Sequence, residues 1–302
     1  MIWEVPGVEV GHWTDPVARR GCTVALFDGG AVASGEVRGG APATHEFSVL
    51  DPFATVQRID AAVLSGGSAF GLAATHGVMR WCEERGRGFP TVAGPVPIVV
   101  GLALYDLTVG DPSVRPGPEQ GYDACAQAGS QQLGPVGAGC GATVGTWRGR
   151  DAAVPGALVG ASVVDGGLVV AALVAVNAWG DVIGYGRSGD PWPEIVDPAP
   201  PTANPTATTG TDSAYGNTTI GIVVTNARMD KVGCHHVARG AHDGLARAVT
   251  PPHARGDGDA FVAAATGTVD APVELVRAHT VELVDAAIRS VGRRTGDPTD
   301  RR

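Results

Sequence analysis

Apolar runs separated by glycine turns predict a chain of short strands and amphipathic helices. In the first half, Asp28-Gly29-Gly30 lies between two apolar runs and predicts a hairpin. Ser65-Gly66-Gly67-Ser68 joins a short buried strand to a helix that Gly86 ends. The predicted elements up to residue 150 are strands 23–27, 31–34 and 61–64 and helices 69–85 and 122–133.

The second half of the chain has longer apolar runs. Asp165-Gly166-Gly167 separates two of them and predicts the first turn of a three-stranded meander, whose third strand is Val182-Ile183-Gly184. The Pro/Thr-rich stretch Arg187–Gly216 predicts a flexible linker, because long segments without secondary structure are unusual inside a compact domain. The remaining predicted elements are strands 218–225 and 261–265, helices 229–249 and 272–293, and a disordered tail from residue 295.

Strands and helices that mix without strict alternation favour an α+β layered architecture over a doubly wound one. The chain has 302 residues, of which 44% are hydrophobic and 18% charged, so it can bury one large core or two smaller ones. No internal repeat divides it. We therefore expect a single domain over residues 1–302.

Charge and cysteine usage exclude several classes of protein. The net charge of −9 gives no basic footprint for nucleic acid. The five cysteines lack a Cys-x-x-Cys pair, which argues against a disulfide framework or a zinc site and fits a reducing cytoplasm. The N-terminus lacks a signal segment, and the most apolar stretch, Ala161–Val176, is too short and too interrupted to span a bilayer. These features predict a cytoplasmic protein without a nucleic-acid, membrane or metal partner.

The junction Asn217-Thr218 follows the predicted linker and precedes an apolar strand. If the chain cuts itself there, Thr218 becomes an N-terminal residue that carries a hydroxyl nucleophile and an amine base together. An α-amine has a pKa of about 7.7–8.0, which suits general-base catalysis near neutral pH. The alternative is an ordinary turn before a strand, since threonine favours strands.

Three further residues can support such a nucleophile. Asn177 follows an apolar strand, and its side-chain amide can donate to a developing oxyanion. Asp257 and Asp259 are two residues apart, so in extended chain both carboxyl groups face the same side and can bond the Thr218 amine and hydroxyl or a cation. The alternatives are a turn asparagine and a solvated acidic turn.

Other polar segments carry weaker signals. The glycine-rich run 137–145 lacks the Gly-Lys-Ser/Thr of a phosphate-binding loop and the context of a dinucleotide fingerprint. The Ser65-Gly66-Gly67-Ser68 turn can present amides to an anion or a carbonyl oxygen, or can be a plain strand-to-helix turn. His235, His236 and His242 lack the spacing and the acidic partner of a metal motif, and we interpret them as surface or packing residues.

Taken together, these segments resemble one known family, the DmpA-type aminopeptidases and endo-type nylon-oligomer hydrolases. The resemblance covers nearly the whole chain and keeps its motifs in order. The motifs are Val5-Pro6-Gly7-Val8, Val10-Gly11-His12-Trp13-Thr14-Asp15, Val37-Arg38-Gly39-Gly40-Ala41-Pro42, Leu64–Leu72, Gly137–Gly145, Asn217–Gly221, Ala241–Arg247 and Asp257-Gly258-Asp259.

The resemblance implies a four-layer αββα sandwich made by self-cleavage into fragments 1–217 and 218–302. It implies Thr218 as the N-terminal nucleophile, Asn177 as the oxyanion donor, and Asp257 with Asp259 as the acidic pair that orients the nucleophile. It further implies a tetramer of processed pairs, no cofactor, and substrates that are short peptides, amino-acid amides or amide oligomers. Residues that this reading places near the substrate are Ser65, Gly66, Gly67, Ser68, Cys140 and Thr146.

One position departs from the nylon-hydrolase branch of that family. The branch has a lysine after Gly-Ala-Thr-Val-Gly, whereas this chain has Thr146. Only one of the 22 basic residues is a lysine, Lys231, and it lies on a different predicted element. A missing ammonium group removes a charge that tunes the amine or stabilises the oxyanion. Two alternatives therefore stay open beside the hydrolase: an acyltransferase on the same scaffold, and a non-catalytic, unprocessed relative.

Overall fold

The computed structural model describes residues 1–186 and 216–295, except the side chain of Arg294. The predicted linker up to residue 215 and the predicted tail beyond residue 295 lie outside the described residues. Within them, the strands are β1 Val8–Asp15, β2 Arg20–Val37, β3 Ala43–His45, β4 Arg58–Ser65, β5 Phe89–Thr91, β6 Gly94–Val96, β7 Val99–Ala103, β8 Thr143–Val144, β9 Val154–Pro155, β10 Ala157–Asp165, β11 Leu168–Val176, β12 Asp181–Val182, β13 Ile220–Ala227, β14 Val249–Thr250 and β15 Ala260–Val269.

The α-helices are α1 Ala74–Glu83, α2 Pro118–Ala126, α3 Lys231–Ala248, α4 Val273–Arg289 and α5 Val291–Thr295. Short 3-10 helices span Ile2–Glu4, Phe47–Leu50, Ser68–Ala73, Gly137–Gly139, Thr146–Arg148 and Arg150–Ala152. No helix in the described part of the chain is both long and apolar enough to cross a membrane.

Nine strands form one connected mixed sheet in the order β10-β11-β13-β15-β2-β4-β7-β3, with β1 on the free side of the first half of β2. Two neighbouring pairs, β13 with β15 and β4 with β7, are parallel, and the other pairs of this sheet are antiparallel. Because β2 pairs with β1 and β4 through its first half and with β15 through its second, it joins the two halves of the sheet.

Three separate apolar cores show that the molecule has four layers. The middle core packs side chains from the two halves of the sheet against each other, for example Leu64 and Leu102 against Leu173 and Ile222. A second core lies between α3, α4 and the outer face of β11, β13 and β15. A third lies between α1, α2 and the outer face of β2, β4 and β7. The αββα sandwich predicted from the sequence is therefore present.

The central strands are buried on both faces, which explains their nearly continuous apolar sequences. In β13, Ile220, Ile222 and Val224 belong to the middle core, whereas Val223 faces the helices. Side chains alternate between the faces of a strand. A strand that is covered on both sides therefore needs apolar residues at both parities.

The predicted hairpin around Asp28 is wrong. Residues 22–26 and 31–32 both pair with β4 in the same direction, so β2 is one continuous strand with a register shift between Leu26 and Ala31. Gly29 and Gly30 have φ of 68° and 72°, values that favour glycine. The Asp-Gly-Gly signal therefore marks a bulge, where the extra residues leave the ladder and the strand bends.

Two other predicted elements differ from the structure. The hairpin of β10 and β11 is confirmed, but Asp181–Val182 pairs with β14 in a separate two-stranded sheet, and the other neighbour of β11 is β13. The second helix covers Pro118–Ala126 rather than 122–133. Pro118 occupies its first turn, where a missing amide hydrogen costs nothing, and Gln120 accepts from the Gly117 amide at 3.0 Å.

The single lysine has a structural position. The Lys231 side chain is buried at the start of α3 and donates to the carbonyl oxygens of Val49 at 2.6 Å and Val56 at 3.0 Å. Burial lowers the pKa of its ammonium group. Its ammonium group therefore binds the loop before β4. Lys231 does not take the place of the lysine that the nylon-hydrolase branch has at the position of Thr146.

We expect Lys231→Met to lower the free energy of unfolding by roughly 1–3 kcal/mol, because buried carbonyl oxygens would lose their donor. Urea unfolding followed by circular dichroism measures the change. His236→Met, at an exposed position of the same helix, is the control and should change the free energy by less than about 0.5 kcal/mol. Equal stabilities for the two variants would contradict the structural role of Lys231.

Candidate active site

The parallel pairing of β13 with β15 brings two sequence-predicted segments together. Ile220 is in register with Ala260, so the residues just before these strands lie side by side. The Thr219 amide donates to Asp259 Oδ1 at 2.8 Å, and the Ala260 amide donates to the Thr219 carbonyl at 3.2 Å. The acidic segment is thus adjacent to Thr218, although the observed carboxylate bond goes to the Thr219 amide and not to Thr218.

Thr218 is buried and conformationally strained. Its φ is 129°, a value that non-glycine residues rarely adopt and that costs on the order of 1–3 kcal/mol. Its amide donates to the Asn177 carbonyl at 2.8 Å, and its Oγ1 accepts from the Gly258 amide at 2.9 Å. The backbone on both sides therefore holds the hydroxyl and the peptide nitrogen in fixed positions.

The carbonyl group of Asn217, which precedes Thr218, also has a fixed position. The Tyr105 amide donates to this carbonyl oxygen at 3.3 Å. The Tyr105 ring packs against Gly216, where a Cβ atom would lie 2.6 Å from the ring. A backbone amide aimed at a carbonyl oxygen is the element from which an oxyanion hole is built.

Asn177 connects three parts of the site. Its Oδ1 accepts from the Thr143 amide at 2.8 Å, and its Nδ2 donates to the Tyr105 carbonyl at 2.9 Å. Its own carbonyl accepts the Thr218 amide. The side chain therefore orients the Tyr105 peptide next to the Asn217-Thr218 bond, and donation of its amide to an oxyanion stays a prediction.

The two acidic residues have different surroundings. Asp259 Oδ2 accepts from His253 Nδ1 at 2.9 Å and from the His253 amide at 3.3 Å. Asp257 is also buried, and burial together with the nearby Asp259 carboxylate raises its pKa well above the usual range. Two carboxyl groups in one buried site do not both ionise readily, so Asp257 retains its proton to higher pH than an exposed aspartate does.

A glycine segment supports the acidic loop. The Arg38 amide donates to the Asp259 carbonyl at 2.9 Å, and the Ala41 amide donates to the Asp257 carbonyl at 2.7 Å. A Cβ atom on Gly39 would lie 2.4 Å from the Asp257 carbonyl oxygen. The Arg-Gly-Gly-Ala motif is therefore the surface against which the acidic loop packs.

An open cleft of about 270 Å³ lies beside Thr218. No charged side chain lines it within the described ranges. The lining residues are Ala41, Ala43, Ser68, Ala103, Tyr105, Gly216, Asn217, Thr218 and Gly256. We call this space the Thr218 cleft.

The predicted pocket residues are only partly at this cleft. Ser68 lines it, whereas Ser65, Gly66 and Gly67 do not. The Ser65 hydroxyl donates to the Gly66 carbonyl, and the Gly67 amide donates to Asp106 Oδ1. Cys140 does not line the cleft: its thiol contacts the Asp15 carbonyl, and burial raises its pKa. Thr146 lies outside the lining and bonds to Asn217.

Sequence reasoning missed Tyr105, Asp106 and His253. Val99–Ala103 is an apolar run followed by Tyr105 and Asp106, and the parallel strands β4 and β7 end together at Ser65 and Ala103. That pattern was available as a signal. Asp106 forms a fully buried ion pair with Arg20, with 3.6 Å between Oδ1 and Nε, and burial raises the pKa of Asp106.

The histidines of α3 do not meet at one point. His242 is buried, its Nε2 lies 2.9 Å from the Glu36 carbonyl oxygen, and its ring packs against His253. Burial lowers the pKa of His242 to about 4. His236 is exposed. Among residues 1–186 and 216–295, no cluster of three or more His, Cys, Asp or Glu side chains is arranged to hold a metal ion.

Solved structures share this fold. The L-aminopeptidase D-Ala-esterase/amidase from Ochrobactrum anthropi, which represents a variant of the Ntn-hydrolase fold, matches with a TM-score of 0.71 and 18% identity over 97% of this chain and 86% of that chain. The chain thus has this variant of the Ntn-hydrolase fold.

Sequence comparison identifies the family. The family description "Peptidase family S58" matches residues 1–295, and the chain belongs to this family. It is 41% identical over 293 residues to an uncharacterized aminopeptidase of Mycobacterium tuberculosis, covering 90% of this chain and 83% of the relative. It is 26% identical over 296 residues to a 6-aminohexanoate-oligomer endohydrolase of Kocuria sp., covering 90% and 76%. The suspected resemblance is confirmed, and the protein is a hydrolase of amide bonds.

Asp257→Asn should stabilise the fold at pH 7.5, by roughly 1–3 kcal/mol, in a Thr218→Ala background. The folded-state pKa of Asp257 is raised, so the folded chain binds the proton more tightly than the unfolded chain. The stabilising contribution of Asp257 to the free energy of unfolding is therefore present below about pH 4 and is lost as the pH rises through the folded-state pKa. Asparagine carries no such titration, and the gain from the substitution should disappear at low pH.

Urea unfolding at a series of pH values measures this difference. Asp270→Asn is the control, because Asp270 is exposed and its pairing with Arg228 is worth little. If the difference in free energy of unfolding between the Asp257→Asn variant and its Thr218→Ala parent does not change with pH, the assigned protonation of Asp257 is contradicted.

Proposed function

We propose that the chain cuts itself between Asn217 and Thr218, and that Thr218 is then the N-terminal nucleophile of the amidohydrolase. The observation that carries this proposal is the geometry of the junction. A strained Thr218 lies between an amide that points at the Asn217 carbonyl oxygen and a Gly258 amide that holds its own hydroxyl.

Self-cleavage proceeds by an acyl shift followed by hydrolysis. Thr218 Oγ1 attacks the Asn217 carbonyl carbon, and the Tyr105 amide stabilises the negative oxygen. The C–N bond then breaks, the Thr218 nitrogen takes the hydroxyl proton, and an ester joins Asn217 to Thr218. Water cleaves the ester, leaving a carboxylate on Asn217 and a free amine and hydroxyl on Thr218. The strain at φ of 129° favours this direction because it is released when the peptide bond breaks.

Amide turnover uses the same groups. The new α-amine, with a pKa near 8 in its ordinary range, accepts the hydroxyl proton as Thr218 attacks a substrate amide. The Tyr105 amide, whose peptide the Asn177 side chain orients, is the proposed donor to the substrate carbonyl oxygen, together with Asn177 Nδ2 once it releases the Tyr105 carbonyl. Asp259, bonded to Thr219 and His253, holds the nucleophile segment in place, and Asp257 provides a proton-binding group beside it. Water then releases the acyl group.

The Thr218 cleft supports small, uncharged acyl groups. Its described lining consists of alanine, glycine, serine, asparagine, threonine and tyrosine, so it offers no charge partner for an acidic or basic side chain. Short peptides and amino-acid amides fit this space, in agreement with the aminopeptidase names of the relatives.

We further propose the tetramer of processed pairs, which light scattering after size-exclusion chromatography measures.

Denaturing mass spectrometry of the purified wild-type protein should show two fragments, residues 1–217 and 218–302. Thr218→Ala removes the hydroxyl and should remain one chain. Thr218→Ser keeps a hydroxyl and should still cleave. A wild-type protein that turns over amides as one intact chain would sink the proposed mechanism.

Activity should follow processing. We expect wild-type protein to hydrolyse small aminoacyl amides and the Thr218→Ala variant to lose at least about 10³-fold of that rate, because no nucleophile remains. Product analysis with an added amine acceptor separates hydrolysis from acyl transfer. Dominant transfer to the acceptor would favour the acyltransferase alternative.

A further inference from the structure

The side chain of Asn217 is held at both ends in the uncut chain. The Thr146 hydroxyl donates to Asn217 Oδ1 at 2.5 Å, and Asn217 Nδ2 donates to the Ala178 carbonyl at 3.3 Å. The Asn217 side chain is buried. A carbonyl oxygen can only accept, so Nδ2 must face Ala178 and Oδ1 must face the hydroxyl. Both polar atoms of the amide therefore have matched partners.

The two partners belong to one backbone block. The Gly145 amide donates to the Ala178 carbonyl at 3.2 Å and to the Gly180 carbonyl at 3.0 Å, and the Trp147 amide donates to the Trp179 carbonyl at 3.0 Å. Residues 145–147 are thereby fixed to the segment that follows Asn177. Gly145 has a φ of 81°, which favours glycine and turns the chain so that Thr146 faces Asn217.

This arrangement controls the carbonyl group that is to be attacked. The Asn217 side chain and the Asn217 carbonyl share one Cα atom, so a fixed side chain limits rotation of the peptide relative to Tyr105 and Thr218. Accurate placement of reacting groups is a large source of rate in intramolecular reactions, and small displacements cost much of it. The Thr146 hydroxyl does not line the Thr218 cleft, and no described hydrogen bond joins it to Thr218.

We propose that Thr146 and the Ala178 carbonyl form a recognition site for the asparagine side chain at the scissile bond, and that Thr146 is a positioning residue for self-cleavage rather than for amide turnover. The inference rests on the self-cleavage proposed above. In this chain a neutral hydroxyl, donating to the residue before the nucleophile, occupies the position where the nylon-hydrolase branch has a lysine.

The site selects asparagine by its hydrogen-bonding pattern. Aspartate at residue 217 would place a carboxylate oxygen against the Ala178 carbonyl, where nothing donates. Leucine has nearly the same shape but would leave the Thr146 hydroxyl without its acceptor and the Ala178 carbonyl with the Gly145 amide as its remaining donor. Leaving buried polar groups unpaired costs more than losing the hydrogen bond alone. We therefore expect Asn217→Leu and Asn217→Asp to slow cleavage.

The test follows the appearance of fragment 218–302 after cell-free synthesis, by denaturing mass spectrometry. We expect Thr146→Val to cleave roughly tenfold more slowly than wild type, the effect of losing one buried hydrogen bond. Thr146→Ser restores the donor and should cleave at a rate within about twofold of wild type. Thr280→Val is the matched control, because it removes a buried hydroxyl whose bond to Val276 lies within α4.

A double-mutant cycle shows whether the hydroxyl acts through Asn217. In an Asn217→Leu background, adding Thr146→Val should cause no further slowing, since the bond is already absent. Independent, multiplicative effects of the two substitutions would overturn the inference. Thermal unfolding of Thr146→Val in the Thr218→Ala background checks that the fold is intact, so that a folding defect is not read as slow cleavage.

Turnover by fully processed protein distinguishes the two roles of the site. Once cleavage is complete, kcat and KM of Thr146→Val should lie within about twofold of wild type. A turnover loss as large as the cleavage loss would show that Thr146 acts on Thr218 or on substrate, and would overturn the assignment. Equal cleavage rates for wild type and Thr146→Val would overturn this inference alone, whereas wild-type protein that never cleaves would overturn the self-cleavage proposal as well.

Discussion

The parallel, in-register pairing of β13 with β15 is the constraint on which the site depends. It places Thr218 and Thr219 beside Asp257 and Asp259. The register has little freedom, because a Cβ atom on Gly221 would lie 2.3 Å from the Phe261 ring and because both strands are buried on both faces. A shift of one residue would exchange the faces of the whole strand. Packing of the central layers therefore fixes the chemistry at their edge.

The sequence predicted the layers better than it predicted the connections. Long, nearly continuous apolar runs indicated the central strands, and the β10–β11 hairpin is present. The Asp28-Gly29-Gly30 signal failed because the same residues serve a turn or a bulge, and only the partner strand decides between them. The prediction of Val182-Ile183-Gly184 as the third meander strand failed for a similar reason, because the partner of Val182 lies in β14, some 70 residues away in the chain. Local patterns predict strands, whereas pairing is a property of the assembled fold.

The site shows the same division. Four residues could be predicted from the sequence because their side-chain chemistry is visible there: Asp257, Asp259, Asn177 and Thr218. The structure brings them together. The hydrogen bonds that fix the junction, however, use main-chain groups of Tyr105, Gly258 and Ala178. Main-chain groups are the same in every residue type, so the sequence does not indicate them. His253 was missed because its role comes from contact with Asp259 and not from its neighbours in the chain. A site built largely from backbone donors needs close approach, and glycine-rich loops permit that approach.

The burial of Lys231 makes the chain unusual in its accessible amines. Its only ε-amino group is enclosed against the carbonyl groups of Val49 and Val56, and the chain has no other lysine. Apart from the amino group of Met1, a folded, uncut chain therefore presents no aliphatic amine to an acylating dye. Each cleavage of the proposed kind would add one such amine, on Thr218 itself. Amine-selective labelling of the native protein above the contribution of Met1 would then count the proposed nucleophiles without any substrate.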